Sequence, residues 1–129
     1  MQHQTVTVQS FFEGNTASLG LQLVAGGHGL RRIIREPTVN RPGLALAGFT
    51  RYFASKRIQV LGSAETTFLR SLPAEERRSR YARLFAYKIP CFVFSRNLNP
   101  DREFLEAAEK AGVPVFRSPL ITMRFINLA

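Results

Sequence analysis

The run Cys91-Phe92-Val93-Phe94 holds four apolar residues in succession with no polar residue between them. A strand with one wet face alternates apolar and polar positions, so an unbroken run implies burial on both faces. That is the condition of a parallel sheet covered by helices. Ile58-Gln59-Val60-Leu61 is a second short β-branched run; it is broken by Gly62 and followed by Ser63, a capping residue, and so reads as a buried strand feeding a helix. Between and after these runs lie helical patterns. Ala64 to Leu72 is one helix, and Pro73 opens another over residues 74–87, with Glu75 and Glu76 at its positive end. Tyr81, Leu84 and Phe85 make the apolar stripe of that helix, while Arg77, Arg78, Arg80 and Arg83 lie mainly off it. The Arg-rich side reads as a solvated face, with a binding surface as the other reading.

Ile89-Pro90 ends this helix, and Asn99-Pro100-Asp101 starts the next, with Asn99 as cap and Pro100 in the first position. Leu105, Ala108 and Ala111 form its buried side, Lys110 trails, and Gly112 with Pro114 terminates it. Val113 to Arg117 is the last strand, and after Ser118-Pro119 a further helix begins at Thr122. The order strand, helices, strand, helix, strand, helix gives, through right-handed crossovers, a three-layer α/β fold. Its sheet is mostly parallel, with helices on both faces.

The N-terminal part is expected to add an antiparallel or mixed edge. Thr5 to Val8 reads as a strand, Phe11-Phe12-Glu13-Gly14 as one helical turn closed by Gly14, and Leu19 to Val24 as a second strand. Gly26-Gly27-His28-Gly29 is read as a hairpin turn into a third strand, Leu30 to Arg35, with His28 solvated. A phosphate loop would need a helix N-terminus and a Lys-Ser/Thr pair directly after the glycines, and neither follows. Val39 to Ser63 joins the halves: a rigid turn Asn40-Arg41-Pro42-Gly43, an apolar helical turn Leu44 to Ala47 stopped by Gly48, the aromatic cluster Phe49, Tyr52 and Phe53, and the basic step Lys56-Arg57.

At 129 residues the chain suits one domain, 1–129, and its 45% hydrophobic and 21% charged residues are those of a globular protein. No apolar run approaches a membrane span, and the start has no secretory pattern. The single Cys91 cannot form an internal disulfide, so a reduced, cytoplasmic protein is expected. The formal charge is +9, from 18 Lys+Arg and 9 Asp+Glu. From Asp101 onward the signs cancel, so the excess belongs to the first hundred residues and points to an anionic neighbour.

Ligands of such sheets collect beyond the carboxyl ends of the strands. Three junctions fall there, at Gly62-Ser63, Ser95-Arg96-Asn97 and Arg117-Ser118. Ser63, Arg96, Asn97 and Arg117 therefore form a candidate anion-binding edge, because guanidinium forks and free backbone N–H groups both suit phosphate. The alternative is structural: Ser63, Asn97 and Asn99 as cap and turn residues, with Arg96 and Arg117 paired to Glu65 or Asp101. No catalytic or metal-ligating constellation is assigned, since the only histidines are His3 and His28 and no second Cys exists.

Six blocks recur in a recognisable order: Leu23-Val24-Ala25-Gly26, Asn40-Arg41-Pro42-Gly43-Leu44 with Leu46-Ala47-Gly48, Arg57-Ile58-Gln59-Val60-Leu61-Gly62, Leu84-Phe85 with Ile89-Pro90-Cys91, Ser95-Arg96, and Thr122-Met123-Arg124-Phe125-Ile126. Together they resemble the N-terminal domain of HPr kinase/phosphorylase. The resemblance implies an α/β fold similar to the UDP-binding N-terminal domain of the muramyl-peptide ligases. It implies a non-catalytic regulatory or assembly domain of a bifunctional bacterial enzyme that controls carbon-source use. That enzyme phosphorylates a serine of the phosphocarrier HPr with ATP or pyrophosphate and Mg²⁺, removes the phosphate by phosphorolysis, and forms homo-oligomers, commonly hexamers. Its chemistry belongs to a C-terminal phosphate-loop kinase domain absent from this sequence, so no residue here inherits a catalytic role. Residues 120–129 are then expected to begin the helix leading to that domain, with Arg124, Phe125 and Leu128 as candidate interface residues. The alternative function is a small-anion or nucleotide sensor at the carboxyl edge, and direct nucleic-acid binding ranks last.

Overall fold

The computed structural model describes residues 6–36, 38–48, 53–122 and 124. The element order is β1 (Val6–Thr7), α1 (Val8–Leu19), β2 (Gln22–Ala25), a 3₁₀ turn (Gly27–Gly29), β3 (Ile33–Ile34), β4 (Val39–Asn40), α2 (Gly43–Leu46), β5 (Ile58–Leu61), α3 (Ser63–Arg70), α4 (Ala74–Leu84), β6 (Phe92–Phe94), α5 (Arg102–Ala111) and β7 (Val115–Arg117). The main sheet has the strand order β2-β7-β6-β5-β4. Strands β4 to β7 run parallel, and β2 lies antiparallel against β7. The expected mostly parallel mixed sheet is therefore present.

Two apolar clusters show why β5 and β6 do not alternate. One side of the sheet packs Leu61, Phe92, Phe94 and Val115 against Leu46, Leu69, Tyr81, Leu84, Phe104 and Ala108 from α2 to α5. The other packs Ile58, Val60, Cys91, Val93 and Phe116 against Val8, Phe11 and Leu19 of α1. Three layers result, with α1 the one α-helix on its face among the described residues. Phe104 is the aromatic centre of the larger cluster, meeting Tyr81, Phe92 and Phe94 edge to face at centroid distances of 5.0–5.1 Å. The one polar side chain inside β5, Gln59, has every group satisfied. Its Nε2 donates to the carbonyls of Ala54 and Arg57, and its Oε1 accepts from Asn40 Nδ2 at 2.8 Å. That bond ties the Asn-Arg-Pro-Gly turn to β5.

The N-terminal expectations need the largest revision. Gly14 does not close a single turn; α1 runs through it for 12 residues. A capping box between Thr7 and Ser10 starts α1, and Gly20 in the left-handed region ends it. The Gly26–Gly29 segment is not a hairpin, because β2 pairs with β7 whereas β3 pairs with β1. Its glycines serve a close approach: a Cβ on Gly26 or Gly29 would run into the carbonyls of Val113 and Gly112 at the end of α5. His28 is exposed, as expected, 3.7 Å from Glu109. Two helix starts also shift. Gly62 rather than Ser63 is the N-cap of α3, and Asp101 rather than Asn99 caps α5 by accepting from Phe104 N–H at 2.8 Å. Phe49, Tyr52, Met123, Phe125 and Leu128 lie outside the described residues. No helix among the described residues is long and apolar enough to cross a membrane.

Candidate functional site

Strands β4 to β7 are parallel, so their carboxyl ends share one edge of the sheet. Arg41, Gly62-Ser63, Ser95-Arg96-Asn97 and Arg117-Ser118 all leave the sheet there. The four sequence-selected residues are thus on one edge. Ser63, Arg96 and Asn97 are exposed and Arg117 is half-buried.

Much of this edge is occupied by the chain itself. After β7 the backbone folds back across the strand ends: Arg96 N–H donates to Leu120 O at 2.8 Å, and Asn97 N–H to Ser118 O at 2.9 Å. Ser118 Oγ reaches Leu19 O at 2.5 Å, which fastens the same segment to the end of α1. Thr122 is buried, and its Oγ1 lies 2.6 Å from Ser95 Oγ. Ser95 Oγ also donates to Leu61 O at 3.2 Å, linking the ends of β5 and β6. Thr122 sits so close above Gly62 that a Cβ at position 62 would overlap its Oγ1. Thr122 and Arg124 are helical, and Arg124 is exposed.

The N-terminus of α3, where an anion would ordinarily settle, already holds one. The buried carboxylate of Glu65 accepts from Gly62 N–H at 2.8 Å and from Arg41 Nη2 at 2.8 Å. Glu65 therefore pairs with Arg41, not with Arg96 or Arg117. Asp101 is likewise committed elsewhere, accepting from Tyr81 Oη at 2.5 Å and lying 3.8 Å from Arg77. Burial first, and then the bond to Asp101, pushes the Tyr81 phenol well above its ordinary range. Arg77 also donates to Glu103 at 3.0 Å; a bond from its own backbone N–H and then that of Arg77 hold the Glu103 carboxyl below its usual value.

What remains available is a small polar set. Arg96 and Asn97 both adopt left-handed backbone, with φ of 59° and 53°. This is rare for Arg, and such geometry persists only where surrounding bonds enforce it. Arg117 Nη2 donates to Asn97 O at 3.2 Å, while its buried Nε has no partner among the described residues. A cavity of about 250 Å³ lies alongside, between α3 and the turn before α5, lined in part by Thr66, Arg70, Asn99 and Asp101.

Arg41 and Thr122 did not emerge from the sequence as parts of this edge, and Glu65 emerged only as a possible partner of Arg96 or Arg117. The available signal was Gly62-x-x-Glu65, the spacing at which an N3 carboxylate returns to its N-cap amide. On α4, Arg77 and Arg80 are half-buried, and Arg80 donates to Leu46 O, whereas Arg78 and Arg83 are exposed as expected of a wet face.

The family described as HPr Serine kinase N terminus matches residues 6–129. An HPr kinase/phosphorylase of Chloroherpeton thalassium is 39% identical over 127 residues, covering 97% of this chain and 37% of the relative. That of Bacillus subtilis is 39% identical over 104 residues, covering 81% of this chain and 34% of the relative. The chain thus spans little more than a third of the length of these relatives. Among solved structures, the CBS and DRTGG domains of the regulatory region of Clostridium perfringens pyrophosphatase, complexed with diadenosine tetraphosphate, align over 99% of this chain and 50% of that one. The TM-score is 0.63 at 14% identity, a likeness of fold alone. By the family match along nearly its whole length, this chain belongs to the HPr serine kinase N-terminal family.

Proposed function

We propose that this chain is the non-catalytic N-terminal regulatory and assembly domain of a bifunctional HPr serine kinase/phosphorylase. In this reading a C-terminal phosphate-loop domain carries the ATP or pyrophosphate and Mg²⁺ chemistry on HPr, and the enzyme works as a homo-oligomer. The observation that carries the reading is the covered carboxyl edge. The segment after β7 is bonded to the end of β6 and to the Ser95–Asn97 turn through Leu120, Ser118 and Thr122, and Thr122 lies over Gly62 at the end of β5, so it transmits the position of the sheet to the helical stretch that includes Arg124. The sheet then serves as a rigid base for whatever that stretch contacts, through Arg124, Phe125 and Leu128 as interface residues. Light scattering tests this on the 129-residue chain and on a Phe125→Ser/Leu128→Ser variant. A self-associated wild type and a smaller variant are expected; equal masses contradict the interface.

A second reading, small-anion sensing at the same edge, is favoured by the buried Nε of Arg117, which has no partner among the described residues, beside exposed Arg96, Asn97 and Ser63. Thermal shifts with phosphate, pyrophosphate, fructose bisphosphate and UDP test it. Wild type and Arg96→Ala responding alike to every ligand would reject it.

A further inference from the structure

The opposite end of the sheet carries a second basic feature, built differently. A cleft of about 360 Å³ lies by the amino end of β6, lined by Arg31, Arg32, Ile33, Arg35, Lys88, Ile89 and Pro90. Four of these residues are cationic and none is acidic. Arg31, Arg35 and Lys88 are exposed. Among the described residues, which include all nine acids of the sequence, none of these three is in an ion pair. The nearest acid in sequence, Glu36, is already paired with Arg57 at 2.9 Å.

Arg32 gives the cleft a fixed charge. Its Nε donates to Gly112 O at 2.7 Å, Nη2 to Ala111 O at 2.9 Å and Nη1 to Ile89 O at 3.2 Å. The guanidinium is anchored by three carbonyls and neutralised by no carboxylate. It holds its place at the cleft wall whether or not a ligand is present, which lowers the ordering cost of binding. The three remaining cations are exposed side chains around it. Ile33, Ile89 and Pro90 add an apolar wall, and the volume falls within the range of about 300–1,000 Å³ usual for small-molecule clefts.

We propose that this cleft binds a small phosphate-bearing organic ligand, its phosphates held by Arg31, Arg35 and Lys88 beside the fixed Arg32 and its body against Ile33, Ile89 and Pro90. Several cations arranged around one concavity suit the spread of oxygens on linked phosphates. A nucleic-acid backbone would instead be tracked by an extended stripe or groove of positive charge. The proposal is independent of the assembly reading, because this cleft lies at the other end of the strands from the 118–122 segment.

The test uses inorganic tripolyphosphate as the probe, titrated calorimetrically and by amide NMR into the 129-residue chain at low salt. Saturable binding is expected, with shifts concentrated at residues 31–35 and 88–89. Arg31→Gln/Arg35→Gln/Lys88→Gln should weaken binding by about tenfold or more, and Arg96→Gln should leave it unchanged. The three positions are exposed, so the variant is expected to fold; the wild-type shift map decides the matter if it does not. No binding, shifts confined to Arg96 and Arg117, or equal affinity for citrate would each overturn the assignment. So would duplex DNA binding without tripolyphosphate binding.

Discussion

The contact between Gly62 and Thr122 offers a direct perturbation of the carboxyl edge. Gly62 has φ −115° and ψ −161°, extended backbone that alanine adopts freely, so Gly62→Ala adds no backbone strain and reduces the freedom of the unfolded chain by about 0.4–1 kcal/mol. Against this, the new Cβ overlaps Thr122 Oγ1 and stands 2.9 Å from Arg41 Nη2. The guanidinium end can swing away, but Thr122 is buried and bonded to Ser95. Overpacking of this kind costs about 1–3 kcal/mol, leaving Gly62→Ala destabilised overall by about 1–2 kcal/mol. Thr122→Ala alone loses one buried hydroxyl bond, about 0.5–1.5 kcal/mol, while Ser95 keeps Leu61 O as acceptor. The double variant removes the overlapping atom, and its stability should approach that of Thr122→Ala. The coupling is then about 1–2 kcal/mol in the stabilising direction. Urea unfolding of the wild type and the three variants reads this out, at about 2 kcal/mol per M of midpoint shift for a domain of this size. Additive effects, within about 0.5 kcal/mol, would refute the placement of Thr122 over Gly62.

Two further predictions follow from buried groups. Glu65→Ala should cost about 2–3 kcal/mol, because the buried Gly62 N–H loses its acceptor, whereas Arg41→Ala should cost less, about 1–2 kcal/mol, because it leaves the buried Glu65 carboxylate without its cation but still bonded to Gly62 N–H; urea midpoints in the reverse order would contradict this. Burial pushes the Cys91 thiol up, as burial and then Asp101 do the Tyr81 phenol. Both stay protonated in the folded state while their unfolded counterparts ionise, so stability is complete below their ordinary values and declines as pH rises above about 8.5 and then about 10. Cys91→Ala should flatten the first part of that decline, and an unchanged slope would refute the assignment.

The parts of the fold that could be read in advance are those with local causes. Strands β5 and β6 were legible because burial on both faces removes polar alternation. Helix α5 was legible because acids, Lys110 and Gly112 mark its polarity and end, although the cap moved from Asn99 to Asp101. Helix α1 was not. Gly14 looks like a stop, yet it sits on the wet side with nothing within 4 Å of a would-be Cβ. Its cost of about 1 kcal/mol is offset by burying Val8, Phe11 and Leu19 against the sheet. Nor could a glycine-rich turn announce that β2 would pair with β7, because that partner lies far along the chain. The candidate edge has the same division. Its strand-end residues were readable from strand order, whereas its closure depends on a Ser95–Thr122 hydroxyl contact and on Glu65, neither of which has a distinctive composition.

Amide hydrogen exchange at Arg96 and Asn97 is the most direct test of the covered edge. Their side chains are exposed, and the protection of their N–H groups rests on the carbonyls of Leu120 and Ser118. A docked segment predicts exchange slowed by about a hundredfold or more relative to an open loop. Exchange at the rate of a free loop would mean that the segment after β7 does not hold the strand ends.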